Sequence, residues 1–192
     1  KLLYSLEHNN YQGVVEATEK GLITLSEKDT NPLSYAISNL NYNMIKYLIE
    51  KGANVNFKED NGLTYLMKVI LINEIEICKL LLENGADVNT LGTGEYAGLS
   101  ALDIALSNLY TTEYNINRMI DLLYEHGATI SSHPLDLAMK SCNYGVIHNI
   151  YNRITTPVEN EAIDAALKAK NQETLEKIKK EVVLLLSKFP LY

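Results

Sequence analysis

The chain has 192 residues, 46% of them hydrophobic and 21% charged, so it can bury a sizeable core without disulfides and is not a disordered or collagen-like polymer. With 17 Lys and Arg against 24 Asp and Glu, its formal charge is −7, and it lacks the broad basic surface that most nucleic-acid and anionic-membrane binders use. No apolar run reaches the roughly 20 residues of a membrane-spanning helix, so no membrane insertion is expected.

The first 25 residues form a weak pattern. Leu2, Leu3 and Leu6 are followed by a polar Asn9-Asn10 break, then by Val14, Val15 and Ala17 up to Gly21. The pattern then sharpens. Pro32, Leu33 and Ala36 begin one short apolar helix, and Lys46-Tyr-Leu-Ile-Glu-Lys-Gly-Ala-Asn-Val-Asn56 carries a second one to its end. The next unit repeats the order. Thr64 stands where a helix N-cap belongs, Leu66, Val69 and Ile70 give a stripe, and Asn73-Glu74 breaks it. Ile75, Ile77, Cys78, Leu81 and Leu82 give the second stripe, and Gly85 follows as a C′ glycine should. A third unit runs from Ser100-Ala-Leu-Asp-Ile-Ala105 to Leu122-Leu-Tyr-Glu-His-Gly-Ala-Thr-Ile130, and a fourth opens at His133-Pro-Leu-Asp-Leu-Ala138. At the far end, Pro157 opens the first helix of the last unit, followed by a charged stretch at 173–180 and an apolar patch at 182–186.

Self-comparison turns these elements into one periodic array. Gly52 and Gly85 are 33 residues apart, and Leu33, Leu66, Leu102 and Leu135 are spaced by 33, 36 and 33. Gly85 and Gly127 are 42 apart, so the third unit carries three extra residues before its leucine and six more before its glycine. The six predict a stretched inter-helix loop at 110–117, and the longest interruption is expected between Asn89 and Ser100. The units are residues 1–25 (a degenerate N-terminal cap), 26–58, 59–91, 92–130 (with the insertions), 131–156 (shortened) and 157–192 (a C-terminal cap). Each is helix, turn, helix and hairpin-like loop. Neither short helix buries its face alone, so stacking is required.

These residues resemble the ankyrin repeat over about 26–153. That family's unit has 33 residues, a Gly-x-Thr-Pro-Leu-His-x-Ala signature, an Ile-Val-x-Leu-Leu-Leu second helix and a Gly-Ala-Asp-Val-Asn ending. Gly62-Leu-Thr64, Pro32-Leu33 with Ala36, Pro134-Leu135 with Ala138, Ile77-Cys-Lys-Leu-Leu-Leu82 and Gly85-Ala-Asp-Val-Asn89 carry the match. The resemblance implies an all-α ankyrin-repeat solenoid. The signature His is replaced by Ser34, Met67, Asp103 and Asp136, and the Thr survives only at Thr64, with Ser100 as a near equivalent. In the family this Thr–His pair ties each turn, so a divergent, less rigid array is implied. The resemblance also marks Asn89, and less so Asn56, as Asn positions that an animal dioxygenase hydroxylates in such repeats. Their structural use is a local bond to the turn backbone.

No chemical constellation accompanies the repeats. Gly92-Thr-Gly94 lacks the third glycine and preceding strand of a dinucleotide fingerprint, and reads as a hairpin loop. His126, His133, Asp136, Cys142 and His148 match no zinc-ligand spacing, and His8 stands apart. Cys142 and His148, six residues apart, fall about 240° apart around a helix, which removes them as a nucleophile–base pair. Asp103 and Asp136 share one repeat position and read as local caps. The lysines from Lys168 to Lys180 are interleaved with Glu173 and Glu176 and form a mixed-sign solvated face. Catalytic, cofactor and metal sites are therefore expected to be absent. Two cysteines cannot build a disulfide framework and favour a reducing compartment such as the cytoplasm. The chain opens at Lys1 without a Met or a signal-peptide pattern, and a segment removed before Lys1 stays open at this stage.

The function this implies is non-catalytic protein–protein recognition by a monomer through the concave ankyrin surface, with no nucleic acid. The alternative is a docking region of a larger enzyme or effector whose catalytic part lies outside this chain. A structural or small-ligand module is the third class. In the repeat frame the surface offers Asp60, Asn61 and Leu63 from one hairpin and Leu71 and Ile72 from the end of a first helix. The next unit adds Tyr96 and Leu99, with Ser107 and Asn108 behind them. Five of these are large and apolar where repeats usually place polar residues, so a merged patch around a Tyr96 anchor on an adaptable, glycine-containing finger is one expectation. The other is that this finger folds back over Leu71 and Ile72 as a local mini-core.

Overall fold

The structure, a computed structural model, describes residues 5–6, 8–22, 31–108, 112–129 and 149–150. Apart from Asn149 and Ile150, the expected units 131–156 and 157–192 lie outside the described residues, and with them His133, Asp136, Cys142, His148 and the lysine-rich stretch. The chain forms two compact units, one of Lys1–Ala105 with Arg118–Thr129, the other of Leu106–Asn117 with Ile130–Tyr192.

The first unit is built from helix pairs, with no named strand among the described residues. Helix α1 (Tyr11–Glu19) follows the Asn9-Asn10 break, α2 (Pro32–Ser38) pairs with α3 (Tyr42–Glu50), and α4 (Tyr65–Leu71) pairs with α5 (Ile75–Glu83). Helix α6 (Ala101–Ser107) begins in the first unit, and α7 (Glu113–Glu125) ends in it. The helices start where the sequence supplies a cap. The Asn10, Asn31 and Asn41 side chains accept from the backbone of Gly13, of Leu33 and Ser34, and of Met44. Thr64 Oγ1 accepts from Met67 N at 3.2 Å. At α6, Ser100 and Asp103 cap each other reciprocally, Asp103 N donating to Ser100 Oγ at 3.1 Å and Ser100 N to Asp103 Oδ2 at 2.8 Å. Where the signature His is lost, Asp103 thus supplies the acceptor itself.

The helices also end in one way. Asn41 N donates to Ala36 O and Leu40 N to Ile37 O at the end of α2, and the same pair of bonds recurs at Glu74–Val69 with Asn73–Ile70 and at Ala86–Leu81 with Gly85–Leu82. Each is a 6→1 and 5→2 closure around one left-handed residue. Second helices use glycine there, as at Gly52 and Gly85. First helices use Asn9, Leu40 and Asn73, with φ of 51°, 53° and 60°.

The core lies between the helices. Leu33, Ile37, Met44, Ile45, Leu48, Leu66, Ile70, Leu81 and Leu102 are fully buried. The first segment keeps the phase with weaker residues, burying Leu6, Val14 and Ala17. Cys78 is buried too, and burial pushes its thiol up to about 12, which makes it an inert core residue.

One expectation is corrected. The six surplus residues of the third unit do not all form a loop at 110–117, because α7 begins at Glu113 and runs 13 residues, against nine each in α3 and α5. Thr112 opens it, its carbonyl accepting from Ile116 N at 3.0 Å and its hydroxyl from Asn115 N at 3.3 Å. The apolar stripe of Met119, Ile120 and Leu123 extends back to Ile116, which is buried, so the extra turn has something to cover. The loop from Asn84 to Ser100 is the longest described interruption, as expected. In the second unit, Asn149 Nδ2 donates to Asn117 Oδ1 at 3.0 Å.

Candidate functional site

Two loops project between successive helix pairs and are called fingers here. The finger at 57–64 is a tight hairpin with one antiparallel bridge, between Lys58 and Thr64. Glu59 N donates to Leu63 O and Gly62 N to Glu59 O, both at 2.9 Å. The finger at 91–99 is a closed ring. Gly92 N donates to Leu99 O at 2.8 Å, Leu99 N to Tyr96 O at 3.1 Å, and a short 3-10 turn, Gly94–Tyr96, lies inside. A Cβ on Gly92 would stand 2.5 Å from the Tyr96 carbonyl, so this glycine serves close approach.

The two fingers touch. Thr93 N donates to Gly62 O at 3.0 Å. Gly62 has φ +90°, and a Cβ there would overlap the Thr93 carbonyl. Below the first finger, Glu59 Oε1 accepts from Ser34 Oγ at 2.6 Å and from Lys68 Nζ at 2.7 Å, and Lys68 also reaches Ser38 Oγ at 2.9 Å. This polar strut joins α2, α4 and the finger. Tyr65 is buried beside it and packs on Phe57 at 5.8 Å between ring centroids. Burial first, and the Glu59 charge second, raise the Tyr65 hydroxyl above its ordinary range, with Ser34 pulling the other way.

The predicted surface residues have mixed fates. Asp60 and Asn61 are exposed at the first fingertip, and Leu71, Tyr96 and Leu99 are half-buried. Ile72 is 43% exposed at the end of α4. Leu63 is only 4% exposed: its backbone bonds to Asn61 Oδ1 and Glu59 N close the hairpin, and its side chain lies in the core. Ser107 is exposed and Asn108 is 7% exposed, and both belong to the second unit. Sequence reasoning missed the Ser34–Glu59–Lys68 strut. Its one signal was an acid in a finger followed nine residues on by a lysine at a first-helix position.

It also misplaced the partners of two asparagines. Asn56 Nδ2 donates to Gly85 O at 2.9 Å, and its Oδ1 accepts from Asp87 N at 2.7 Å. Asn89 does the same one unit later, donating to Gly127 O at 2.9 Å and accepting from Thr129 N at 2.8 Å. Each amide clips its own turn to the turn of the following unit. Among the described residues no group of three or more His, Cys, Asp or Glu is placed to hold a metal ion, and His126 Nδ1 lies 2.9 Å from Leu122 O. No described helix is long and apolar enough to cross a membrane.

Comparison with known proteins agrees with this geometry. The family profile "Ankyrin repeats (3 copies)" matches residues 2–92. The ankyrin repeat protein FPV031 of Fowlpox virus (strain NVSL) is 27% identical over 181 residues, covering 86% of this chain and 52% of its own length. The ankyrin repeat protein FPV242 of the same virus is 33% identical over 115 residues, covering 59% of this chain and 29% of its own length. The human 2-5A-dependent ribonuclease is 34% identical over 85 residues, covering 43% of this chain and 11% of that enzyme. The chain thus spans about half the length of FPV031 and less of the others. Ankyrin repeats generally mediate protein–protein interaction, and as a family they are not catalytic. The 33-residue period, the capped helix pairs with their repeated closures, and the family match carry one conclusion: residues 2–92 of this chain are ankyrin repeats, and the chain is similar to ankyrin repeat proteins.

Proposed function

We propose that the first unit binds a partner protein through the surface of the two fingers and the first helices, using Asp60, Asn61, Leu71, Ile72, Tyr96 and Leu99. Leu63 supports this surface from below. Ser107 and Asn108 lie in the second unit and are left out. The observation that carries the reading is Ile72, a large aliphatic side chain left 43% exposed at the end of a first helix whose other apolar residues are buried or half-buried. Tyr96 supplies an aromatic anchor of the kind that dominates interface energetics.

The test compares proteins captured from the native cell, read by mass spectrometry, on the wild-type chain and on Tyr96→Ala and Ile72→Asp variants. Proteins lost from both variants at an unchanged melting temperature are the expected result. An identical set on all three chains overturns the site. A lowered melting temperature, with binding that only follows the folded fraction, assigns these residues to the core.

A second reading is favoured by coverage: the chain spans 52% of FPV031 and 11% of a protein named as a ribonuclease. In it, the same surface docks a partner or substrate for a larger protein whose active part lies elsewhere. The length of the full gene product separates the two.

A further inference from the structure

We propose that Glu59 is a positioning residue for the finger at 91–99, which it does not touch, so that the two fingers move as one body. The inference rests on the binding reading above, since Tyr96 is the anchor being positioned. It follows a continuous path of bonds. The Glu59 carboxylate is held from two helices, by Ser34 of α2 at 2.6 Å and Lys68 of α4 at 2.7 Å. With its side chain only 16% exposed and that of Lys68 22% exposed, the pair is largely screened from water, where such bonds are stronger than at an open surface.

The Glu59 backbone closes the hairpin at both ends, through Leu63 O and Gly62 N. That closure fixes the direction of the Gly62 carbonyl, which receives Thr93 N at 3.0 Å. The approach is possible because position 62 has no side chain: a Cβ would overlap the Thr93 carbonyl and lie 2.9 Å from Thr93 Oγ1. A Cβ on Gly94 would in turn stand 3.2 Å from Asn61 O, so the tips pack backbone to backbone. Beyond Thr93 the ring is internally closed, and Tyr96 N donates back to Thr93 O at 3.0 Å. The anchor is therefore referred to the carboxylate through bonds at every step.

The functional meaning is preorganisation. A partner spanning both fingers meets a surface already assembled and does not have to order it. The strut also stands where the family's Thr–His pair is incomplete, since Ser34 occupies the signature His position of its unit.

The experiment is native-state hydrogen exchange on the full chain, comparing wild type with Glu59→Ala and Glu59→Gln. Glu59→Ala is expected to speed exchange at Thr93 at least fivefold, with amides of α5 such as Leu81 unchanged. Glu59→Gln, which keeps an acceptor for Ser34 but loses the negative charge that pairs with Lys68, falls between. Gly62→Ala severs the link directly and sets the ceiling. Faster exchange at Gly62 without faster exchange at Thr93 shows independent fingers and overturns the proposal. An equal rise at Thr93 and in α5 shows global loosening and overturns it too. Should Glu59→Ala fail to fold, Ser34→Ala removes one of the two bonds and is judged by the same pattern. No partner enters the measurement, so its failure leaves the binding reading standing, and failure of the capture experiment leaves this coupling standing.

Discussion

At Leu40 the chain places a branched side chain in the left-handed region, with φ 53°, where both equivalent turns use asparagine. Leucine pays there for the approach of its Cβ to the following carbonyl, on the order of 1–2 kcal/mol, and it remains 45% exposed besides. Leu40→Asn is expected to raise stability by about 1 kcal/mol, seen as a higher urea midpoint with an unchanged slope. Asp87 makes a second prediction. Its carboxylate accepts from Thr90 Oγ1 at 2.7 Å and Asn89 N at 2.9 Å, and these bonds, the Thr90 one first, hold its pKa below the ordinary range. A depressed folded-state value contributes stability that is complete above the unfolded pKa of about 3.9 and is lost as pH falls through the folded value. Asp87→Asn should therefore lose less stability than wild type when acidified through that window, in unfolding followed from pH 6 to pH 2. Asn54, which accepts from Asn56 N at 2.9 Å one unit earlier, already performs the same turn with an amide.

At the scale of the element, helix starts, helix ends and buried faces were all legible. Thr64 caps α4, Gly85 closes α5, and Leu66 and Leu81 are 1% and 0% exposed, because caps, closures and apolar stripes are each written within a few consecutive residues. Leu81→Ala should cost about 2–5 kcal/mol, measured by equilibrium unfolding, since Leu81 is fully buried and its truncation leaves a cavity. What crosses from one element to another was not legible. The bonds of Asn56 and Asn89 join residues 29 to 40 apart, and the strut of Glu59 depends on how far one helix pair is offset from the next. The surplus in the third unit was counted correctly but assigned to a loop, because the burial of Ile116, which extends the helical stripe by a turn, is not written in the local sequence.

For the whole molecule, periodicity gave the family at once, since a repeated pattern tests itself four times over in one sequence. The surface did not emerge the same way. Positions that are equivalent in the repeat differ in exposure, as Leu63, before the cap of α4, is buried while Leu99, before the cap of α6, is half-buried. A formal charge of −7 disfavours association of the chain with other acidic surfaces.

The asparagine clips also bear on how fast such a chain finds its structure. The side-chain bonds described between units close loops of 25 to 40 residues. The entropy lost in closing a loop grows only with the logarithm of its length, so each added unit meets the same modest search as the one before it. Assembly can then spread outward from any pair of neighbours that meets first, and a gene that lengthens the array leaves the speed of each step unchanged.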